Sequence, residues 1–228
     1  MLLDFDGSLS LIAARPDLAR PFEGAKEVLE ALVRRYRVVA IVTGRPVAQI
    51  ESLLAVPGLR HLGLYGIEGP PPERAADLVH RAQAAATVVP EAWVEDKGVS
   101  IAVHYRQAPD PALARTRLVP PLREVATAGG LELVEGKMVV ELMPVDRPRK
   151  GGAVERIATE HDLSAALFAG DDVADIEAFA ALDRLEEAGL LAVRIAVRGP
   201  ETPEALVEAA DVTVDGPRGL IELLRQLA

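Results

Sequence analysis

The sequence predicts an α/β fold in which a parallel sheet flanked by helices is interrupted by an inserted α+β domain. Three observations predict it. Apolar or β-branched runs alternate with stretches whose apolar residues recur at helical spacing, over residues 1–70 and again over 147–228. Between them, after Pro70-Pro71-Pro72, the pattern changes to a helix followed by paired alternating strands, and does so twice within 71–146. Half of the 228 residues are hydrophobic and 26% are charged, a balance that supports a packed core and excludes a disordered chain. The length suits one large domain or a core carrying a smaller insert.

Met1-Leu2-Leu3 runs straight into Asp4-Phe5-Asp6-Gly7, a short apolar run closed by acidic and turn residues, as at the carboxyl end of a buried strand. Few residues precede Asp4 for a strand of that kind. Ala25, Val28, Leu29, Leu32 and Val33 mark a helix over 24–35, and the β-branched run 36–42 stops at Thr43-Gly44-Arg45. Pro46 is placed to open a helix carrying Val47, Ile50, Leu53 and Leu54, and 62–65 offers a third strand. The insert reads as a helix over 73–86, then strands at 93–95 and 99–106 joined through Asp96-Lys97-Gly98. A second helix, 109–128, is expected to break near Pro120-Pro121, and 131–134 pairs with 138–142 around Glu135-Gly136. The α/β rhythm then returns with helix 151–161, strand 165–169, the loop Gly170-Asp171-Asp172 and helix 176–182. Strand 191–197, helix 203–209, a strand at 212–214 and a last helix, 219–227, complete it.

Composition narrows the chemistry. The absence of Cys excludes disulfides, thiolate zinc sites and a cysteine nucleophile, and four separated His give no histidine metal site. A net charge of −10, no basic stripe and 4% aromatic residues argue against a nucleic-acid partner. No apolar run approaches the roughly 20 residues of a membrane span and no signal peptide is visible, so a soluble, cytoplasmic monomer without membrane partners is expected. An acidic protein still binds an anionic small molecule where a divalent metal and local Lys or Arg reverse the field.

In an open parallel sheet, ligands bind outside the carboxyl ends of the strands. Asp4, Asp6, Thr43, Gly44, Asp171, Asp172 and Asp175 all fall there on this reading. Asp4 and Asp6 point the same way in an extended segment, and with Asp171, Asp172 or Asp175 they can offer Mg²⁺ carboxylate or carbonyl oxygens while waters complete its octahedron. Each motif alone is ordinary. Asp and Gly form turns, Thr43 suits the cap of the helix that Pro46 begins, and Lys150 suits a solvated helix start.

Their combination is not. Asp4-Phe5-Asp6-Gly7-Ser8-Leu9, the strand ending in Thr43-Gly44-Arg45, Lys150, and Gly170-Asp171-Asp172-Val173-Ala174-Asp175 resemble the four ordered motifs of the haloacid-dehalogenase-like (HAD) phosphohydrolases. That superfamily has a Rossmann-like parallel-sheet core, and the insert lies where members with a large α+β cap of the C2 type carry it. Within the insert, the segment Glu95-Asp96-Lys97-Gly98 through His104-Tyr105-Arg106 and the segment Gly136-Lys137 through Glu141-Leu142-Met143-Pro144 are similar to cap motifs of trehalose-6-phosphate phosphatases.

The resemblance implies a reaction and a cast. Asp4 would attack phosphorus to form an aspartyl-phosphate, and Asp6 would protonate the leaving sugar oxygen and then take a proton from water, its backbone carbonyl also reaching the metal. Thr43 and the Gly44 N–H would bind phosphoryl oxygens, with Arg45 beside them, while Lys150 would offset the charge of phosphate and nucleophile. Asp171 would ligate Mg²⁺, with Asp172 and Asp175 as ligand or supporting partner. In the cap, Glu95, Lys97, Arg106, Lys137 and Glu141 would clamp sugar hydroxyls, and closure would exclude bulk water. His104 and Trp93 are expected to be structural. The implied substrate is trehalose 6-phosphate, with another sugar or polyol phosphate as the alternative and a receiver-type phospho-acceptor domain as a remote one. Two departures stand out: Ser8 replaces the usual Thr, keeping the hydroxyl, and Leu64-Tyr65 precedes Gly66 where some members have Asn-His.

Overall fold

Along the chain the elements are β1 (Leu2–Leu3), α1 (Ala25–Arg35), β2 (Ala40–Val42), α2 (Val47–Leu53) and β3 (Arg60–Leu62). Then come α3 (Leu78–Ala86), β4 (Trp93–Asp96), β5 (Ile101–His104), α4 (Pro111–Ala128), β6 (Leu131–Gly136) and β7 (Val139–Pro144). The remainder is α5 (Lys150–Glu160), β8 (Ala165–Gly170), α6 (Val173–Glu187), β9 (Leu191–Arg198), α7 (Glu204–Glu208), β10 (Val212–Asp215) and α8 (Gly216–Leu227). The structure, a computed structural model, describes residues 1–66, 77–147 and 149–228. It divides into two compact units, Met1–Ile67 with Pro148–Ala228, and Glu68–Arg147. The expected junction at 70–71, the Pro70-Pro71-Pro72 run and the first turns of the helix expected from 73 lie outside the described residues.

The first unit is built on a sheet ordered β10-β9-β8-β1-β2-β3, every pair parallel. Short as it is, β1 holds its place through both neighbours. Leu2 pairs with Ala40 and Phe168, Leu3 pairs with Ile41 and Ala169, and the Asp4 N–H reaches the Ala169 carbonyl at 2.9 Å. Both leucines are fully buried on opposite faces, each gaining roughly 1.5–3 kcal/mol from that burial. Leu3 joins Leu29 and Leu32 of α1, Ile50 of α2 and Leu220 of α8, whereas Leu2 joins Val154 and Ile157 of α5 and Phe179 of α6. From β1 the chain moves outward to β2 and β3, and after the insert it returns to β1's other side at β8. That reversal opens a crevice at the carboxyl ends of β1 and β8, which is where such sheets bind ligands.

Several expectations for this unit change. The third strand lies at Arg60–Leu62, because Leu64 and Tyr65 take left-handed backbone angles (φ 51° and 59°) and turn their N–H groups to Arg45 and Thr43 carbonyls. The expected strand over 36–42 is paired only from Ala40. Helix α6 begins three residues before the expected 176, because Asp172 and Asp175 form a reciprocal capping box at its start. Buried Arg194 in β9 is reconciled with its apolar strand by carboxylates of Asp183, Glu186 and Asp211, at 2.6, 2.7 and 3.2 Å.

The second unit is an antiparallel sheet, β4-β5-β7-β6, with α3 and α4 packed on one face. Helix α4 is not broken at Pro120-Pro121: it runs unbroken for 18 residues, capped by the Asp110 carboxylate on the Leu113 N–H. Pro120 is exposed, and the carbonyls left without helical donors belong to exposed Thr116 and Arg117, so water can satisfy them. Buried Leu118, Leu122 and Val125 hold the helix to the sheet from the other side. The β6–β7 turn falls at Lys137-Met138, one to two residues later than expected, with Met138 in the left-handed region at φ 58°. No helix among the described residues is long and apolar enough to cross a membrane.

Candidate active site

Asp4 sits where β1 ends, in the crevice set by the reversal, and is buried. Directly after it the chain folds back tightly, with the Leu9 and Ser10 N–H groups on the Phe5 carbonyl and the Gly7 N–H on that of Ser10. Gly7 is required twice over. Its φ is +88°, and a Cβ there would lie 1.9 Å from an Asp171 carboxylate oxygen. Gly7→Ala is therefore expected to displace Asp171 and lower kcat about 100-fold in phosphate-release assays, since misplacing a reacting group by about 1 Å has that scale of cost.

Lys150, the first residue of α5, crosses to this point. Its Nζ donates to Asp4 Oδ1 and Asp175 Oδ1, both at 2.6 Å, and it is 3% exposed. Burial alone would lower the lysine's pKa, but the charges of Asp175 and Asp4 and the hydrogen bonds to both keep it well above its ordinary value, so it is a fixed cation. Burial pushes the Asp4 carboxyl well above the usual carboxylate range; Lys150 opposes this, and Asp175 and Asp171 add to it. Asp175 also accepts the Asp171 and Asp172 N–H groups through Oδ2, at 2.8 and 2.9 Å, which ties the loop after β8 to the start of α6. Gly170 permits that approach, since a Cβ would fall 2.2 Å from the Asp175 carboxyl carbon.

Asp4, Asp171 and Asp175 each bring an oxygen within 4.8 Å of the others, all three buried. Lys150 offsets one of three negative charges. A buried all-oxygen set with residual negative charge fits a hard divalent cation, so the residues present suit the metal that the motifs imply. The Ser8 hydroxyl approaches Asp171 Oδ1 at 3.4 Å.

Other expected site residues are placed differently. Asp172 does not join this cluster: its Oδ1 caps the Val173 N–H at 2.7 Å. Asp6 is gripped by both arms of Arg45, at 2.7 Å each, and Arg45 is itself anchored to the Pro16 carbonyl and Gln49 Oε1, both 2.9 Å. Arg45, expected to bind substrate, thus holds Asp6 in this structure. Thr43 is buried with its hydroxyl 3.3 Å from the Arg45 N–H that donates to it, and Gly44 faces the Tyr65 hydroxyl, 2.7 Å from where a Cβ would stand.

The second unit places Glu95 and Glu141 on the sheet face turned away from α3 and α4, with Lys97 beside Glu141, while Arg106 and Lys137 lie beyond the strand ends. Lys97 Nζ meets Glu141 Oε1 at 3.1 Å and Arg106 donates to the Lys137 carbonyl at 3.1 Å. Sequence reasoning missed two partners there: Ser100 donates to Glu141 Oε1 at 2.6 Å, and His104 Nε2 lies 2.9 Å from Glu95 Oε2. The shared face of Glu95 and His104 follows from the β4–β5 register, which alternation along each strand alone does not give. For the first, Asp96-Lys97-Gly98 signalled the hairpin that returns Ser100 beside Lys97, but nothing local signalled the contact with Glu141, 41 positions away.

The trehalose-phosphatase family matches residues 2–208 of the chain. The chain belongs to this family. Among the trehalose-phosphatase relatives, the trehalose-phosphate phosphatase of Mycobacterium leprae is 32% identical over 254 residues, covering 100% of this chain and 57% of that protein. A probable trehalose-phosphate phosphatase of Sinorhizobium fredii is 30% identical over 241 residues, covering 100% and 88%. The chain spans 18–61% of the length of the first relatives it matches, the shortest share being of an uncharacterized glycosyl hydrolase of Mycobacterium tuberculosis. In fold, the C-terminal domain of Candida albicans trehalose-6-phosphate phosphatase superposes with a TM-score of 0.83 at 21% identity, covering 99% of this chain and 90% of that one. A haloacid dehalogenase-like hydrolase of Bacteroides thetaiotaomicron gives 0.66 at 13% identity, covering 100% and 98%. The fold is that of the HAD phosphatases with a cap, as the motifs implied.

Proposed function

We propose that this chain hydrolyses trehalose 6-phosphate to trehalose and inorganic phosphate through an aspartyl-phosphate on Asp4. The observation that supports it most is the buried set of Asp4, Lys150, Asp175 and Asp171 at the sheet's reversal, in a chain of this family. Asp4, Asp171 and Asp175 would hold Mg²⁺, which supplies positive charge that lets a carboxylate approach a phosphate dianion. An Asp4 oxygen bonds to phosphorus as the bond from phosphorus to the sugar oxygen breaks, and Asp6 gives that oxygen a proton. Water then bonds to phosphorus, its proton passes to Asp6, and the bond to Asp4 breaks, restoring both carboxyls. Both Asp6 oxygens accept from Arg45, so proton delivery requires one of those bonds to be given up. Lys150 keeps the Asp4 carboxylate aimed and neutralises part of the charge that builds on the phosphoryl group. Thr43 and the Gly44 N–H would hold phosphoryl oxygens. In the second unit Glu95, Lys97, Glu141, Arg106 and Lys137 would contact the sugar, the enzyme acting as a cytoplasmic monomer.

Phosphate release with Mg²⁺ from trehalose 6-phosphate, glucose 6-phosphate and sucrose 6-phosphate tests the reading. A kcat/KM for trehalose 6-phosphate at least about 100-fold above the others, abolished by EDTA, is expected, the scale a polar sugar site can supply. Equal weak turnover of all three would keep the phosphatase chemistry and reject the substrate. No turnover by the folded protein would reject both.

A further inference from the structure

The face of the β4-β5-β7-β6 sheet turned away from α3 and α4 carries Glu95 and Glu141 in a definite register. Glu95 is paired with Ala102, and Ala102 with Glu141, so the two carboxylates lie in one row across three strands with only a methyl group between them. Neighbouring strands are about 4.8 Å apart, which separates the two backbones by roughly 10 Å, the scale of a sugar ring with its hydroxyls. Carboxylates on mobile stems make poor hydrogen-bond acceptors for a specific ligand unless something fixes them first. Here each has a fixing partner that the proposed chemistry does not use.

For Glu95 the partner is His104. Its Nε2 is 2.9 Å from Glu95 Oε2, and because a carboxylate only accepts, the proton between them belongs to the ring. The ring itself is held by Trp93, directly opposite in the register, stacked at 4.2 Å between centroids and 14° between planes. For Glu141 the partner is Ser100. The Lys97 N–H closes the hairpin on the Ser100 carbonyl at 3.0 Å, with Gly98 at φ +80°, and this brings Lys97 and Ser100 to the same oxygen, Oε1, at 3.1 and 2.6 Å. Among the described residues nothing donates to Glu141 Oε2.

We propose that His104 and Ser100 are positioning residues of the sugar clamp: His104, backed by Trp93, aims Glu95, and Ser100 saturates Glu141 Oε1 so that Oε2 is presented to a sugar hydroxyl. The inference rests on the reading that this face takes the sugar. It assigns work to His104, expected from sequence to be structural, and to Ser100, which lies inside the first cap segment but was given no role there.

The test compares trehalose 6-phosphate with p-nitrophenyl phosphate, which has no sugar to clamp. Ser100→Ala and His104→Leu are expected to raise KM for trehalose 6-phosphate about 10-fold, the loss of one hydrogen bond to a charged group. Turnover of p-nitrophenyl phosphate should change less than about threefold, since the reacting groups are untouched. Ser100→Thr and His104→Gln, which keep a donor, should restore most of the lost affinity. A parallel fall for both substrates means a general structural defect and overturns the inference, as does an unchanged KM. Glu95→Gln and Glu141→Gln separate the levels. If these raise KM for the sugar phosphate while the Ser100 and His104 variants do not, the positioning inference alone fails; if none of the four changes has an effect, the sugar reading of this face fails with it.

Discussion

Asp4→Asn is expected to abolish phosphate release, lowering kcat by about 10⁴-fold or more, while leaving the protein folded. An amide of the same shape has no nucleophilic oxygen, and removal of a nucleophile in enzymes that form covalent intermediates costs on that order or beyond. Stability should move little or upward. Burial already disfavours the charged form of Asp4, and Asp175 and Asp171 add to the repulsion, so a neutral side chain relieves a cost that Lys150 only partly offsets. Lys150 keeps Asp175 as its partner at 2.6 Å. Steady-state assays together with thermal melting check both halves. Substantial residual turnover in the variant would remove Asp4 from the chemistry.

Lys150→Met is expected to damage both stability and rate. Three buried carboxylates with oxygens within 4.8 Å would lose their fixed cation. Two unit charges about 4 Å apart repel by about 4 kcal/mol at an effective dielectric constant of 20, and breaking a buried ion pair costs about 3–5 kcal/mol. Urea unfolding should show a deficit of about 3 kcal/mol, with kcat lowered about 1,000-fold. Its pH dependence has a definite sign. Lys150 lowers the Asp4 pKa, so without it a pKa already above the usual carboxylate range rises further, and the folded state binds a proton more tightly than the unfolded one. The deficit should be fully expressed above that raised pKa and shrink as pH falls through it toward the ordinary carboxylate range. Added Mg²⁺ should recover part of it, because a cation bound only by the folded state stabilises it. A variant as stable as the parent at every pH would contradict the role of Lys150 as the site's structural cation.

How much of this was legible in the sequence differs by element. Asp4, Thr43 and Asp171 could be placed because strand ends are marked by a change from apolar to turn chemistry, whereas Lys150, at a helix start, was grouped with them only through the resemblance of the ordered motifs. The choice between Asp172 and Asp175 could not be read, because both are ordinary residues for a helix start. Their contacts differ in the structure, with Asp172 capping Val173 and Asp175 reaching Lys150. The apolar run 62–65 reads as strand on composition, yet Tyr65 is drawn into a left-handed turn by its hydrogen bond to Thr43. Pro120-Pro121 reads as a helix break, and only the packing of Leu118, Leu122 and Val125 shows why it is not one. The Arg45–Asp6 and Ser100–Glu141 pairs join residues 39 and 41 positions apart, a separation no local pattern encodes.

The most direct test of the central claim is to trap the covalent intermediate. The protein is mixed with trehalose 6-phosphate and Mg²⁺, quenched in acid during turnover and reduced with borohydride, which converts an acyl phosphate to an alcohol. The account predicts homoserine in place of Asp4 in the N-terminal peptide and unaltered Asp6, Asp171 and Asp175 in theirs. Reduction at another carboxylate, or none in a sample that is turning over, would contradict it.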